Sequence, residues 1–440
     1  MAQEIYHRSD WGYASNEWGR VYVNAELSNE LYKRAANYEN SWGSDKLLDA
    51  INKKASIVLL PTAYEKDTIH NVKPSESPFG DMTFIQAGTT TRVDESGLVA
   101  SNTTDIPRID YSKGEGAILS ELASTNEIRY SEDFSNALWQ KVGVTLTSST
   151  STNPRGESAT IYAIQGAAAQ GGLEGAMAST ATGNGVGVSI WARKKSGVGT
   201  TNVEIGFGDS STVTTTTVSV GSAWQRITYE SAGYTGANRF YIDAEGTSAD
   251  DTIEVWGAQM EKTTGSGQAG RVSSYVPTVS GSATRARDNY LNGGDASLIG
   301  AQEGVFFFEG AALSNAYGGR AVALSANNSA ANRVVLYFDG VGGQVRTSIQ
   351  ASGALITLNA GGVTQTNFNK IAVKYKSGDV ALWLNGTEVA TSTAAFTFNA
   401  ALSELAFDQG NGSQHFDGHV KQLVIFKEVL SDAELAALTS

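Results

Sequence analysis

Between Asn126 and Arg287 the chain runs as short stretches of alternating apolar and polar residues, broken by clusters of Gly, Ser and Thr. A period of two puts successive side chains on opposite faces of an extended backbone, so this pattern builds half-buried strands joined by tight turns. GVGVSIWARKK, TNVEIGFG, TVTTTTVSV, SAWQRITYE, NRFYIDAE and DTIEVWGAQME are six candidate strands, and their close spacing is that of a β-sandwich or barrel. Val186, Val188 and Ile190 share one face of the first, with Ser189, Trp191 and Arg193 on the other. Phe240 and Ile242 oppose Tyr241, and Ile253 and Val255 oppose Trp256. With the aliphatic residues inside, Trp191, Tyr241 and Trp256 stand on the opposite face. Two readings follow. Either these rings stack on sugars while Arg193, Arg239, Glu204 or Asp243 bond the hydroxyls, or they are core or cover a contact with a neighbouring domain or subunit.

A second alternating set fills residues 288–440: GVFFFEGAAL, NRVVLYFDG, QVRTSIQA, KIAVKY, DVALWLNG, SELAFDQG and HFDGHVKQLVIF. KSGD joins two of these with Gly378 at a left-handed position, and Asn385 and Gly386 turn the next hairpin. LSDAELAAL ends the chain as a short helix, capped by Ser431 with Glu434 as its box partner. The loop AFDQGNGSQHFDG carries Asp408, Asn411, Gln414, His415 and Asp417. Its oxygens suit a sugar or a hard cation, and equally an ordinary solvated turn.

The first 125 residues differ. Trp11, Trp18 and Trp42 are interleaved with Tyr6, Tyr13, Tyr22, Tyr32 and Tyr38 in an otherwise polar stretch. This is either a docking surface or a small local core. ELSNELYKRAAN and SDKLLDAINKKA have helical spacing, SIVLLPTAYE begins as a buried strand, and TRVDESGLV reads as a hairpin turning at Asp94 to Gly97.

A length of 440 residues exceeds one core, and 48 Gly against 6 Pro favour turn-rich β structure. The absence of Cys excludes disulfides and thiolate metal sites. A net charge of −13, with scattered Lys and Arg, argues against nucleic acid as a partner. The N-terminus lacks the pattern of a signal peptide, and no apolar run reaches the roughly 18 residues of a membrane span. The expectation is a soluble chain made in a cytoplasm, without membrane insertion. Glu-x-Asp-x-x-Glu, GxSxG, HExxH, phosphate-loop and dinucleotide motifs are absent, and His7, His70, His415 and His419 form no metal-ligand pattern, so a non-enzyme is expected.

Four motifs in order, TRVDESGLV, DIPRIDY, GAILSE and STNEIRYSEDFSNALWQK, resemble a segment of bacteriophage virion proteins that leads into a carbohydrate-binding-module-like sandwich. YSEDFSNALW, WQR, VWGAQME, SYVPT and TRAR are similar to such a module itself. In cellular relatives an acidic residue near the opening motif and an aspartate in the closing strand hold calcium. Asp133 stands at the first position and Gly257 at the second, which leaves calcium weakly supported, with Asp133 and Asp417 as its candidate ligands. KIAVKY, DVALWLNG, FDGHVKQLVIF and LSDAELAAL resemble the laminin-G/concanavalin-like lectin fold.

These resemblances imply a mainly β chain: an N-terminal virion-attachment region (1–85), a connecting hairpin segment (86–125), a carbohydrate-binding-module-like sandwich (126–287) and a lectin-like sandwich (288–440). They imply a fibre or spike of tail or head, anchored to other virion proteins through Trp11, Trp18 and Trp42. It would bind host-surface polysaccharide as a homo-oligomer, most simply a trimer; the alternatives are a purely structural decoration of the particle without sugar binding, or a polysaccharide depolymerase. The candidate glycan contacts are Trp191, Arg193, Tyr241, Trp256, Asp408, Asn411, Gln414 and His415.

Overall fold

The computed structural model describes residues 51–440 apart from residue 52 and the stretches 62–63, 73–78, 167–171, 177–183, 210–211, 235–237, 245–250, 263–269, 315–319 and 340–342. The aromatic-rich leader with Trp11, Trp18 and Trp42, and the two helices expected there, lie outside the described residues except for the end of the second. Two compact units emerge. Unit 1 takes the chain up to Ala87, Thr104–Leu122 and Asp288–Ser440; unit 2 takes Gly88–Thr103 and Ala123–Arg287.

Unit 2 is an antiparallel sandwich of two five-stranded sheets. One runs Trp139–Val142, Gly172–Ala176, Arg239–Ala244, Thr201–Gly208, Val213–Val220; the other runs Thr145–Thr152, Ser158–Gln165, Ile253–Lys262, Asn184–Lys194, Gln225–Tyr234. The alternation of the sequence becomes the core directly. Val186, Val188, Ile190, Ile253 and Val255 pack against Val203, Ile205, Phe207, Phe240 and Ile242. The Ile253–Lys262 strand departs from strict alternation, because Ala258 and Met260 point inward as well as Val255. A bulge makes the change. Gly257 adopts φ +68°, and the register to the neighbouring strand shifts between Ser189 and Trp191.

Unit 1 has an eight-stranded sheet ordered Thr387–Ser392, Val380–Leu384, Asn369–Lys376, Glu303–Ala312, Gly418–Phe426, Ala117–Ser120, Ile109–Asp110, with Ala55–Leu59 also paired to Gly418–Phe426. A five-stranded sheet contains Ala354–Ala360, Gln344–Ala351, Asn332–Asp339, Arg320–Ser325 and Glu404–Ala406. The core sets Phe306, Phe308, Ile371, Val373 and Ile425 against Val322, Leu324, Val334, Leu336 and Phe338. The turns lie where the sequence puts them: Gly378 at φ +81°, Asn385 and Gly386 at +47° and +86°. The Asp432–Thr439 helix begins with the Ser431–Glu434 capping box.

The domain boundaries differ from the sequence reading. Ala55–Leu59 and Ala117–Ser120, expected in an attachment region and a connecting segment, are strands of unit 1, with Leu59 opposite Leu423 and Leu119 opposite His419. The hairpin Thr90–Val93/Val99–Asn102 belongs to unit 2. Local pattern marks a strand but carries no address for a partner far along the chain. Unit 2 is therefore made of two excursions from unit 1, and each leaves through a closed stem. At the first, the Gln86 amide donates to Asp105 Oδ1 at 2.8 Å and the Asp105 amide to the Gln86 carbonyl at 3.2 Å. At the second, the Glu121 amide donates to Asp288 Oδ2 at 2.9 Å and the Asp288 amide to the Glu121 carbonyl at 3.0 Å. In both, the returning aspartate accepts the amide of the departing residue.

Candidate functional site

The sequence-predicted aromatic face is buried over most of its extent. Trp191 and Trp256 are 7% and 2% exposed, with ring centroids 5.4 Å apart, and Tyr275 joins them. Val99 of the Thr90–Asn102 hairpin packs into this cluster, and Thr91 Oγ1 donates to the Tyr275 carbonyl at 2.6 Å. Guanidinium groups take further ring surface, Arg226 lying 4.7 Å from the Trp191 ring centroid and Arg155 5.5 Å from that of Trp256. Neither indole offers a free face to a sugar. Arg193 pairs with Glu254 and lies over the half-buried Trp224 at 4.4 Å.

Tyr241 is on the other sheet. Its ring lies flat on Gly172, where a Cβ would approach to 2.3 Å, and its hydroxyl donates to Glu204 at 3.5 Å. Burial raises its pKa, and the nearby Asp243 and Glu204 carboxylates add to the effect. The structure thus brings Trp191 and Trp256 together and leaves Tyr241 apart from them.

In unit 1 the 408–415 loop is closed largely on itself. Asp408 Oδ1 accepts from the amides of Gly410, Asn411 and Gly412, and Asp408 Oδ2 stands 3.7 Å from His415 Nδ1. Asn411 Oδ1 accepts from Ser413, and Gln414 sits exposed at φ +53°. Asp417 is buried and accepts the Leu122 amide. These are the bonds of a tight turn, and they use much of the acceptor capacity on which the ligand reading depended.

A cleft of about 450 Å³ opens elsewhere in unit 2, between the motif that starts the module and the one that closes it. Tyr130 at φ +54° turns the opening motif back on the closing one. Its amide donates to the Val279 carbonyl, and the Ser131 amide donates to the Thr278 carbonyl. Ser131 Oγ accepts from the Thr278 amide at 2.8 Å and shares a hydrogen bond of the same length with the Tyr275 hydroxyl. The Trp139 indole donates to the Tyr130 carbonyl at 3.0 Å. Five hydrogen bonds thus fix a turn that ordinary propensity would not hold.

The walls combine apolar and acidic surface. Pro277 and Val279 are exposed, Val279 at 76%, and Tyr130 is half-buried. Beside them are Glu132, Asp133, Thr160, Tyr162 and Thr278, and among the described residues none that lines the cleft is basic. Asp133 Oδ1 accepts from the Ser135 hydroxyl at 2.6 Å, the Ser135 amide at 3.1 Å and the Tyr162 hydroxyl at 2.7 Å. The Ser135 and Tyr162 hydroxyls hold its carboxyl below the usual range. Burial pushes the adjacent Glu132 carboxyl the other way, although Tyr275 donates to its Oε1 at 3.0 Å. Sequence reasoning singled out Asp133 alone of this group. The motifs YSED and SYVPT were visible, but their meeting depends on a left-handed tyrosine that no pattern announces.

The calcium site implied by resemblance does not fit the residues present. Position 257 is a bulge glycine with no side-chain oxygen, and a Cβ there would lie 3.1 Å from the Trp191 ring. No group of three or more His, Cys, Asp or Glu placed to hold a metal ion occurs among the described residues. No helix among them is long and apolar enough to cross a membrane.

Residues 312–436, all in unit 1, match the family model of the concanavalin A-like lectin/glucanases superfamily. No curated protein matches the sequence. Among solved structures, the chain is similar to the CBM40 of the Ruminococcus gnavus IT-sialidase, at 21% identity over 33% of this chain and 86% of that one, with a TM-score of 0.29. Domain 4 of the Geobacillus stearothermophilus arabinanase AbnA, solved with arabinotriose, gives 14%, 39%, 85% and 0.29. The CBM22-1 xylan-binding domain of Paenibacillus barcinonensis Xyn10C gives 12%, 33%, 99% and 0.25.

Proposed function

We propose that this chain binds glycans through the unit 2 cleft, without cleaving them. The observation that carries the reading is the pairing of an apolar wall, Tyr130 with Pro277 and Val279, with carboxylate oxygens fixed alongside it. A pyranose presents just such a combination, a C–H face beside a fringe of hydroxyl donors. The lectin-family match over residues 312–436 supports the same class of ligand for unit 1.

In this proposal the protein is a fibre or spike of a bacteriophage particle, assembled in the host cytoplasm and binding host-surface polysaccharide. The support is the order of the motifs TRVDESGLV, DIPRIDY, GAILSE and YSEDFSNALW. The leader with Trp11, Trp18 and Trp42 attaches it to other virion proteins, and trimerisation multiplies weak single-site binding.

The test is a glycan array and calorimetry on the full chain, with chromatography of the sugar afterwards. Saturable binding that Tyr130→Ala weakens roughly tenfold, with the glycan recovered intact, is the expected result. Binding indifferent to Tyr130 overturns the assignment of the cleft, and released fragments overturn the non-catalytic reading. Absence of the chain from purified particles, probed with an antibody against it, overturns the virion assignment.

A further inference from the structure

The cleft also carries information about the kind of sugar. Asp133 Oδ1 takes three donors from the protein, and the Asn136 amide also acts on that carboxyl, but among the described residues no hydrogen bond reaches Asp133 Oδ2 or Glu132 Oε2. Both residues line the opening together with the half-buried Tyr130. Among the described residues no Lys, Arg or His lines it. The cation that acts on Glu132 is Arg155, whose guanidinium donates to Ser101 Oγ and lies over the Trp256 ring. The acceptors left over are therefore anionic and neighbouring, that of Glu132 the more desolvated, beside a surface suited to a sugar ring.

We infer that the cleft selects amino sugars with a free ammonium group, accepts neutral sugars less well and rejects sugar acids. The inference rests on the glycan reading of the same cleft and refines it. An ammonium group brings three donors and a positive charge to oxygens that carry the negative charge and lack donors. A hydroxyl brings the donor alone. A carboxylate brings neither, and at this site it meets like charge in a partly water-excluded setting.

The experiment compares trisaccharides matched in linkage, of glucosamine, N-acetylglucosamine, glucose and glucuronate, by calorimetry on the full chain at neutral pH. The diffuse attraction of a chain of net charge −13 for any cation is controlled by charge-matched variants. Asp133→Asn and Glu132→Gln change the cleft, and Glu388→Gln changes an exposed edge strand of unit 1. The expected result is a preference for the free amine over the neutral sugar of roughly tenfold. It is lost in Asp133→Asn or Glu132→Gln and kept in Glu388→Gln. As Glu132 titrates above the usual carboxylate range, the preference falls as pH drops through that titration. If Asp133→Asn fails to fold, Glu132→Gln carries the test by itself.

An equal response to all four sugars, a preference for glucuronate, or an equal loss in Glu388→Gln overturns the selectivity while leaving glycan binding in place. Binding of none of the four by a folded chain, with the array also empty, overturns the glycan reading and the selectivity with it.

Discussion

The two units solve the same problem with different materials. Each has an outer sheet face too apolar to leave in water. Unit 1 covers Val305, Phe307, Ala372, Trp383 and Val424 with Leu430, Leu435 and Leu438 around its terminal helix, helped by Ile51 and Ala55. Unit 2 covers Trp191, Trp256 and Tyr275 with a two-stranded hairpin that contributes one aliphatic side chain, Val99. The contrast extends to buried charge. Arg108 of unit 1 is fully buried and bonds both Glu121, at 2.6 Å, and Asp288. Burial works against its charge, yet the Asp288 and Glu121 carboxylates outweigh burial and raise its pKa. Glu132 of unit 2 has a tyrosine hydroxyl and a more distant cation, and burial prevails. Unit 1 pairs the buried charge at this stem, whereas unit 2 leaves acceptors at a cleft and so keeps a place for a ligand.

The largest effect is expected where compensation is most complete. Arg108→Ala strands two buried carboxylates at the stem of the second excursion and should cost about 3–5 kcal/mol. Urea unfolding followed by hydrogen exchange would place the loss in unit 1 first. A loss under 1 kcal/mol would mean that the stem is wetter than its full burial implies. Leu435→Ala in the helical cover comes next, at about 3 kcal/mol, because a fully buried leucine leaves a cavity. Val99→Ala in the hairpin should cost roughly 1–2 kcal/mol, with raised fluorescence quenching as Trp191 and Trp256 become accessible. Equal costs for Leu435 and Val99 would erase the distinction between the two covers.

Much of this division was legible before the structure. The faces of GVGVSIWARKK and DTIEVWGAQME separate aliphatic core from aromatic surface by alternation alone, and the turns at Gly97, Gly378 and Asn385–Gly386 follow from residues that tolerate left-handed backbone. The Thr145–Thr152 strand, TLTSSTST, escaped because it is an exposed edge strand with almost no apolar residue to alternate. The partners of Ala55–Leu59 and Ala117–Ser120 escaped because pairing is non-local. The aromatic face was correctly drawn as a face, but its cover lies before the module in the chain. The cleft was the least legible part. Its walls come from residues 130–133, 160–162 and 277–279, which only the folded sandwich brings together.

The smallest effect tests the cleft within unit 2, where two neighbouring carboxylates should respond to pH with opposite signs. Glu132 has a raised folded-state pKa, so its favourable contribution is present below its unfolded pKa and disappears as pH rises through the folded value. Glu132→Gln keeps an acceptor for the Tyr275 hydroxyl and removes the desolvated charge, so it should raise the Tm at neutral pH, with the gain vanishing on acidification. Asp133 has a lowered pKa, so its contribution is present above the unfolded value and is lost as pH falls through the folded one. Asp133→Asn should therefore lower the Tm at neutral pH and converge on the parent in acid. Both shifts are expected to be modest, because Asp133 is largely solvent-screened. Thermal melts across the acid range decide the matter. Were Glu132→Gln to lower the Tm at neutral pH, Glu132 would be a compensated structural charge of the kind found around Arg108, and the cleft would lose its claim to hold acceptors in reserve.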